Sequence, residues 1–215
     1  MVSFGTRRNA WTGYQAASQR AGPGVLVIPE AFGLTPHFKS FADRLNHDEV
    51  FTVLAFDIYD GATAAHRGEA VALRDSLDRD RVIAKLEGAA EHLTANWHPR
   101  LGAIGFSLGA AYAVALAQEI EIEGTVVYYG FDDVEPDRWH GPVLGHFAEK
   151  DDAPEPAAAK GFLDAVLAAG EEAQMHVYKG VGHGFANQDR PSSFDVACAE
   201  AAYRRTCDFL RHHLA

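Results

Sequence analysis

The stretch Leu101-Gly-Ala-Ile-Gly-Phe-Ser-Leu-Gly-Ala110 decides the fold of this 215-residue chain. It begins as an apolar run typical of a buried strand, and an alanine-rich helical pattern follows over residues 108–119. Between the two lies Gly105-Phe-Ser107-Leu-Gly109, a G-x-S-x-G sequence in the strand–turn–helix context that a nucleophile elbow requires. This context predicts a sharp turn that raises Ser107 above the end of a strand.

The residues on either side of Ser107 are those that such an elbow requires. The turn holds the serine in a strained backbone conformation, and Gly105 and Gly109 carry no Cβ to clash with the adjoining strand and helix. The Leu108 N–H, at the helix N-terminus, is then placed to stabilise an oxyanion. The alternative is a glycine-rich turn whose serine only caps the helix, and the strand before and the helix after it favour the nucleophile.

Apolar runs and helical patterns alternate on both sides of the elbow. Further strands are expected at residues 25–28, 51–56, 125–129, 143–148 and 174–178, and further helices near residues 36–46, 78–95, 156–169 and 194–213. Strands separated by crossover helices indicate the α/β class, with a mostly parallel central sheet and helices on both faces. No linker or repeat divides the chain, so we expect one domain over residues 1–215. The least regular stretch, residues 60–76, suits either an entrance loop or cap, or a solvated connection.

Composition and charge exclude several functional classes. The net charge of −11 repels phosphate backbones and anionic membranes, so neither nucleic acid nor membrane is an expected partner. No window reaches 18 continuous apolar residues, and the N-terminus shows no signal peptide. Cys198 and Cys207 lie nine residues apart in one helical stretch, about 13 Å along its axis, too far to bridge. Two free thiols suggest a reducing compartment, and we expect a cytoplasmic protein.

Cofactor chemistry has no support in the sequence. The chain has neither an H-E-x-x-H motif nor a Cys/His cluster with ligand spacing, so no metal is expected. It has no Walker A sequence, and its glycines imitate a dinucleotide fingerprint only loosely. We therefore expect no cofactor, and a monomer or small homo-oligomer acting on a small molecule.

A serine nucleophile needs a histidine base, because a hydroxyl is a weak nucleophile until an imidazole accepts its proton. On this type of fold the order along the chain is Ser, then Asp or Glu, then His. His183 lies in Gly180-Val-Gly-His-Gly-Phe185, a glycine-rich loop after a predicted strand, where it can reach the serine. His176 lies inside that strand, and His212 and His213 end the last helix, so His183 is the best candidate. Its alternative role is to cap the segment that follows.

The acid should follow the strand that ends near residue 148. The sequence there runs Glu149-Lys-Asp-Asp152, and a carboxylate just beyond the carboxyl end of a strand can hold the second imidazole nitrogen. At least two of these four charged residues are expected to be only solvated. Position alone does not separate Asp151 from Asp152, and Glu149 ranks third.

With these residues in place, the chain resembles the dienelactone hydrolase family from about residue 23 to the C-terminal helix. Besides the elbow, the matching pieces are Ile28-Pro-Glu-Ala-Phe-Gly-Leu-Thr-Pro-His37, Phe41-Ala-Asp-Arg-Leu45, Ala55-Phe-Asp-Ile-Tyr59, His146-Phe-Ala-Glu-Lys-Asp151 and Gly182-His-Gly-Phe185. The resemblance implies an α/β-hydrolase fold, with Asp151 as the acid and His183 as the base. It also implies an oxyanion hole formed by the N–H groups of Ala31 and Leu108. Glu30 matches the family's active-site glutamate, which contacts the nucleophile in the resting enzyme; alternatively it serves only the following helix.

Two departures from the family pattern bear on the substrate. The family's best-known members carry cysteine where this chain has Ser107, and serine depends more on its base because its pKa is far higher. Those members also bind the substrate carboxylate with an arginine shortly after the histidine, but here that stretch reads Gly-Phe-Ala-Asn187 and no arginine comes before Arg190. Dienelactone itself is therefore not the expected substrate. Arg67 or Arg74 could supply a cation, although both are expected at the surface.

These observations predict a serine hydrolase that cleaves a small carboxylic ester or lactone through an acyl-enzyme on Ser107. A thioesterase or peptidase with the same three residues is an alternative within enzymes. A non-catalytic binding protein on the same fold is the alternative from another class, because fold does not guarantee chemistry.

Overall fold

The computed structural model describes residues 1–4, 10–16, 22–152, 154 and 156–215. The strands of this described part are β1 (Val2–Phe4), β2 (Trp11–Gln15), β3 (Gly24–Ile28), β4 (Thr52–Phe56), β5 (Leu101–Phe106), β6 (Gly124–Tyr128), β7 (Val143–Lys150) and β8 (Ala173–Gly182). Its α-helices are α1 (Pro36–Asp48), α2 (Arg67–Asp75), α3 (Arg79–Asn96), α4 (Leu108–Leu116), α5 (Pro156–Ala168) and α6 (Val196–Leu214).

The eight strands form one sheet in the order β1-β2-β4-β3-β5-β6-β7-β8. From β4 to β8 every neighbouring pair is parallel, whereas β2 pairs antiparallel with both β1 and β4. Since β5 lies inside the parallel part, the residue that follows it stands near the middle of the sheet's carboxyl edge. The predicted mostly parallel sheet is confirmed.

Helices cover both faces of this sheet and bury two apolar cores. The strands β3, β4, β5 and β6 are buried along their whole length, which explains their uninterrupted apolar runs. Alternate residues of β3 show the division, because Leu26 and Ile28 join the core beneath α3, α4 and α5, while Val25 and Val27 join the core beneath α1 and α6. The sheet is therefore held rigidly from both sides.

Three parts of the fold differ from the sequence-based expectation. β1 and β2 were not predicted, since they are short strands at the antiparallel edge. Residues 60–76 are not wholly irregular, because they contain α2, capped by the His66 side chain accepting from the Glu69 N–H. Ala70 is the buried residue of this helix, so it lacks the apolar stripe that reveals a packed helix. β8 runs to Gly182, and His183 therefore directly follows a strand instead of standing within a loop.

Two further expectations can be compared with the structure. Cys198 and Cys207 are both free thiols, as their spacing predicts. In the part of the chain that the structure describes, no helix is long and apolar enough to cross a membrane.

Candidate active site

The candidate site lies at the carboxyl edge of the sheet, where four strands deliver polar side chains. Glu30 comes shortly after β3, Ser107 directly after β5, Asp151 after β7 and His183 after β8. Parallel strands place their carboxyl ends on the same edge, so residues far apart in sequence meet there. They line a cleft of about 640 Å³, with Ala31 also in its wall.

Ser107 has the strained backbone of an elbow, with φ 51° and ψ −111°. Three glycines make this turn possible. A Cβ on Gly105 would lie 2.3 Å from the Gly109 carbonyl oxygen, one on Gly109 would lie 2.2 Å from the Ile28 carbonyl oxygen, and one on Gly130 would lie 2.4 Å from the Ser107 carbonyl oxygen. Any larger residue at these positions would displace the backbone that holds the serine.

Ser107, His183 and Asp151 form a continuous hydrogen-bonded chain. The Ser107 Oγ lies 2.8 Å from His183 Nε2, and His183 Nδ1 lies 2.9 Å from Asp151 Oδ2. Asp151 is buried, with 4% of its side chain exposed, whereas Asp152 points to solvent. The structure therefore separates the two aspartates that sequence position alone left open.

The Tyr129 ring packs against the imidazole of His183. Its ring centroid lies 5.0 Å from that of His183, and its backbone has a φ of 41°, which is uncommon for a residue with a side chain. The Tyr129 N–H donates to the His146 carbonyl oxygen at 2.8 Å, which fixes this conformation. Tyr129 was not predicted as a site residue, because the sequence placed it inside the strand expected at residues 125–129, whereas β6 ends at Tyr128.

The amides of Ala31 and Leu108 are free to bind a ligand. Leu108 is the first residue of α4, and within the described residues neither N–H donates a hydrogen bond to the protein. Leu108 follows Ser107 in the sequence, and Ala31 lines the same cleft as Ser107. Two such donors beside a nucleophile can stabilise a negatively charged oxygen.

Glu30 is 1% exposed and faces Arg190, whose Nη1 lies 3.6 Å from Glu30 Oε1. Burial raises the pKa of Glu30, and the charges of Arg190 and His183 oppose that rise. The structure thus places Glu30 in the cleft wall, but within its described residues it does not show the contact with the nucleophile that the resemblance implied. Among those residues the Glu30 carboxylate makes no hydrogen bond, and Ser107 Oγ is bonded to His183 Nε2.

The cleft is richer in cations than the sequence suggested. The stretch after His183 holds no arginine before Arg190, but a tight turn, in which the Arg190 N–H donates to the Asn187 carbonyl oxygen at 3.0 Å, brings Arg190 to the cleft. The Arg190 guanidinium lies 4.6 Å from the centre of the Phe32 ring. Arg67 and Arg74 are exposed as expected, yet both also line the cleft.

A mostly parallel sheet with a serine elbow, and with an aspartate and a histidine at its carboxyl edge, defines the α/β-hydrolase fold. The family model of the dienelactone hydrolase family matches residues 11–214. The chain belongs to the dienelactone hydrolase family and is an enzyme of the hydrolase class.

Individual relatives agree with this assignment. The chain is 28% identical over 221 residues to a carboxymethylenebutenolidase of Rhodococcus opacus, covering 94% of this chain and 86% of the relative. It is 27% identical over 228 residues to protein usf of Aquifex pyrophilus, covering 100% and 98%. Its fold is similar to that of a dienelactone hydrolase-like promiscuous phosphotriesterase from metagenomic libraries, with a TM-score of 0.88, 23% identity, and 100% and 97% of the two chains covered.

No group of three or more His, Cys, Asp or Glu side chains able to hold a metal ion occurs among the described residues. The polar groups gathered in the cleft are three hydroxyls, an imidazole, three carboxylates, backbone amides, an ammonium group and guanidinium groups. Such a set can activate a serine, stabilise an oxyanion and attract an anionic substrate.

Proposed function

We propose that this chain is a serine hydrolase that cleaves small carboxylic esters or lactones through an acyl-enzyme on Ser107. The observation that carries the proposal is the chain of hydrogen bonds from Ser107 Oγ through His183 to Asp151, at 2.8 and 2.9 Å. Relatives named carboxymethylenebutenolidase, and one named as a probable lactonase, support ester or lactone bonds as the target.

In the first half of the proposed reaction, Ser107 Oγ attacks the ester carbonyl carbon while His183 Nε2 takes the hydroxyl proton. Asp151 keeps the imidazole in the tautomer that accepts at Nε2 and stabilises the imidazolium that forms. The Ala31 and Leu108 amides donate to the oxyanion. When the tetrahedral intermediate collapses, His183 gives its proton to the leaving alkoxide, and the acyl group stays on the serine.

In the second half, water replaces the alcohol. His183 takes a proton from the water as the oxygen attacks the acyl carbon, and the second tetrahedral intermediate uses the same two amides. Its collapse returns the proton to Ser107 and releases the carboxylic acid. In a lactone the alkoxide remains tethered to the acyl group, so both halves act on one molecule.

The cations of the cleft favour a substrate with a negative group near the ester bond. Arg190 approaches from beside Glu30, and Arg67 and Arg74 approach from α2. In a chain with a net charge of −11, a cluster of guanidinium groups at the site can select an anionic substrate. These cations take the place of the family's carboxylate-binding arginine, which this sequence lacks shortly after His183. Lactones that carry a carboxylate therefore belong among the substrates to test.

The test is the turnover of p-nitrophenyl acetate by the Ser107→Ala variant. Loss of the nucleophile should lower kcat by about 10⁴-fold or more. Ser40→Ala, which removes an exposed serine on α1, is the matched control and should retain wild-type turnover. Retained turnover in Ser107→Ala would exclude an acyl-enzyme at this residue.

A panel of matched ester, thioester and amide substrates separates this proposal from the alternatives with the same three residues. We expect the highest kcat/KM on esters and lactones. A preference for thioesters or amides would redirect the assignment to a thioesterase or peptidase. Absence of turnover on all of them, with no covalent labelling of Ser107, would favour a binding protein on this fold.

A further inference from the structure

The direction of the Ala31 N–H is set by a tight turn, residues 30–33, that follows β3. In this turn the Gly33 N–H donates to the Glu30 carbonyl oxygen at 2.9 Å. The Glu30 carbonyl and the Ala31 N–H belong to one trans peptide unit and point in opposite directions. Fixing that carbonyl inside the turn therefore fixes the direction in which the Ala31 N–H donates.

A second segment, residues 59–64, holds the same turn from outside. The Tyr59 hydroxyl donates to the Ala31 carbonyl oxygen at 3.1 Å, and the Ala64 N–H donates to the Phe32 carbonyl oxygen at 3.1 Å. The turn also fits closely against this segment at Gly33, where a Cβ would lie 2.8 Å from the Ala62 carbonyl oxygen. The peptide units on both sides of Ala31 are thus restrained, one by the turn and one by Tyr59.

Tyr59 is itself held in place. Its ring lies against Gly33, where an added Cβ would come 3.1 Å from Tyr59 Cδ2. The next residue, Asp60, has a φ of 53°, and both of its carboxylate oxygens accept from Lys85 Nζ, at 2.7 and 2.6 Å. Lys85 is a buried residue of α3, so the segment starts from a fixed point of the core.

We propose that Tyr59 is a positioning residue for catalysis, which aims the Ala31 amide at the developing oxyanion through its hydrogen bond to the Ala31 carbonyl. The inference rests on the proposed function, because it needs an oxyanion at Ser107. Burial raises the pKa of Tyr59 to about 12, so its hydroxyl remains a donor throughout the pH range of ester assays. Tyr59 touches neither nucleophile nor base in the structure and acts only through the turn.

The test is Tyr59→Phe, which removes the hydroxyl and keeps the ring against Gly33. A misaimed donor weakens binding of the transition state and leaves ground-state binding of the ester unchanged. We expect kcat for p-nitrophenyl acetate to fall about 10-fold with KM unchanged. The Kd of phenylboronic acid, which forms a tetrahedral adduct on the serine, should rise by a similar factor. Tyr14→Phe, which removes a hydroxyl bonded to Asp43, is the control and should change neither value.

A second pair of variants tests the turn without changing the tyrosine. Gly33→Ala introduces a Cβ at a φ of 85°, against the Ala62 carbonyl, whereas Gly170→Ala introduces one at a φ of 87° with no atom within 4 Å. Backbone strain is therefore similar in both. We expect only Gly33→Ala to lower kcat and weaken the boronate as Tyr59→Phe does.

The possible outcomes are distinct. Wild-type kcat and boronate affinity in Tyr59→Phe, with Ser107→Ala inactive, would overturn the positioning role and leave the proposed function standing. Turnover in Ser107→Ala would overturn both. A drop in thermal stability of Tyr59→Phe with unchanged kcat in the folded enzyme would assign the tyrosine a structural role only.

Discussion

Two adjacent aspartates follow β7, and their surroundings give them different roles. Asp151 is buried against His183, while its neighbour Asp152 is exposed at the cleft mouth. An amide at position 151 can hold the imidazole in the wrong tautomer and cannot stabilise the imidazolium. We expect Asp151→Asn to lower kcat for p-nitrophenyl acetate by about 10³- to 10⁴-fold, measured from initial rates.

Asp152→Asn is the matched control for that variant, because it makes the same chemical change one residue away. It should retain kcat within about 2-fold, since an exposed charge beside the cleft is screened by solvent. Equal losses in the two variants would contradict the assignment of Asp151.

Several site residues could be predicted from the sequence because each directly follows a strand that an apolar run makes visible. Ser107 and Asp151 belong to this group, although Asp151 needed the family resemblance to be separated from Asp152. His183 was assigned from the chain order Ser, Asp, His and from its glycine-rich surroundings, because β8 is largely exposed and is not an apolar run. Tyr59 and Arg190 could not be assigned in this way. Tyr59 is proposed to act through its hydrogen bond to Ala31, which lies 28 residues earlier in the sequence. Arg190 reaches the cleft only because the chain turns back after Asn187.

Among the helices, α2 lines the cleft with one face. Four of its residues, spaced as one helical face, line the cleft: Arg67, Ala70, Val71 and Arg74. The sequence did not reveal this helix, because its face toward the cleft carries both charged and apolar side chains and its buried residue is Ala70. The long strands and α4 were visible because complete burial requires continuous apolar runs.

The charges of this helical face should favour anionic substrates. We expect Arg67→Gln combined with Arg74→Gln to raise KM about 5- to 10-fold for an ester that carries a carboxylate. KM for a neutral ester of equal size should stay constant, as should kcat for both. Arg138→Gln, which breaks a surface pair with Glu119, is the control. Equal changes in KM for the charged and the neutral ester would show that α2 does not distinguish substrates by charge.

At the scale of the whole molecule, the two apolar cores share the strands of one sheet. We therefore propose that residues 1–215 form one domain that unfolds in a single transition. Residues 59–64 and the 30–33 turn belong to the same rigid frame, since two hydrogen bonds connect them and the buried Lys85 binds Asp60 of that segment. The fold thus places Ser107, Asp151 and His183 at the ends of separate strands with little freedom between them.

Buried neutral histidines should make this frame sensitive to acid. Burial lowers the pKa of His37 to about 4, opposed by the charge of Asp189, and the pKa of the fully buried His146 well below its usual value. In the unfolded chain these histidines bind protons near pH 6.5. Their contribution to the free energy of unfolding is therefore fully present above that pH and is lost as the pH falls. For His37 alone, the free energy of unfolding falls by about 2 to 3 kcal/mol by pH 4.

Melting temperatures of wild type and His37→Phe between pH 7.5 and 4.5 check this expectation. Phenylalanine retains an aromatic ring against Phe106 and has no proton to bind, so the variant should lose less stability on acidification. His47→Asn, an exposed position on the same helix, should follow the wild-type curve. Parallel curves for wild type and His37→Phe would contradict the role of the buried imidazole.

Mass spectrometry of the protein after treatment with a fluorophosphonate tests whether Ser107 forms a covalent intermediate. We expect one adduct per chain, which peptide mapping places on Ser107, and no adduct in Ser107→Ala. His183→Ala should label far more slowly, since its serine lacks a base. An ester-hydrolysing enzyme that remains unlabelled, or that carries its adduct on another residue, would contradict the account.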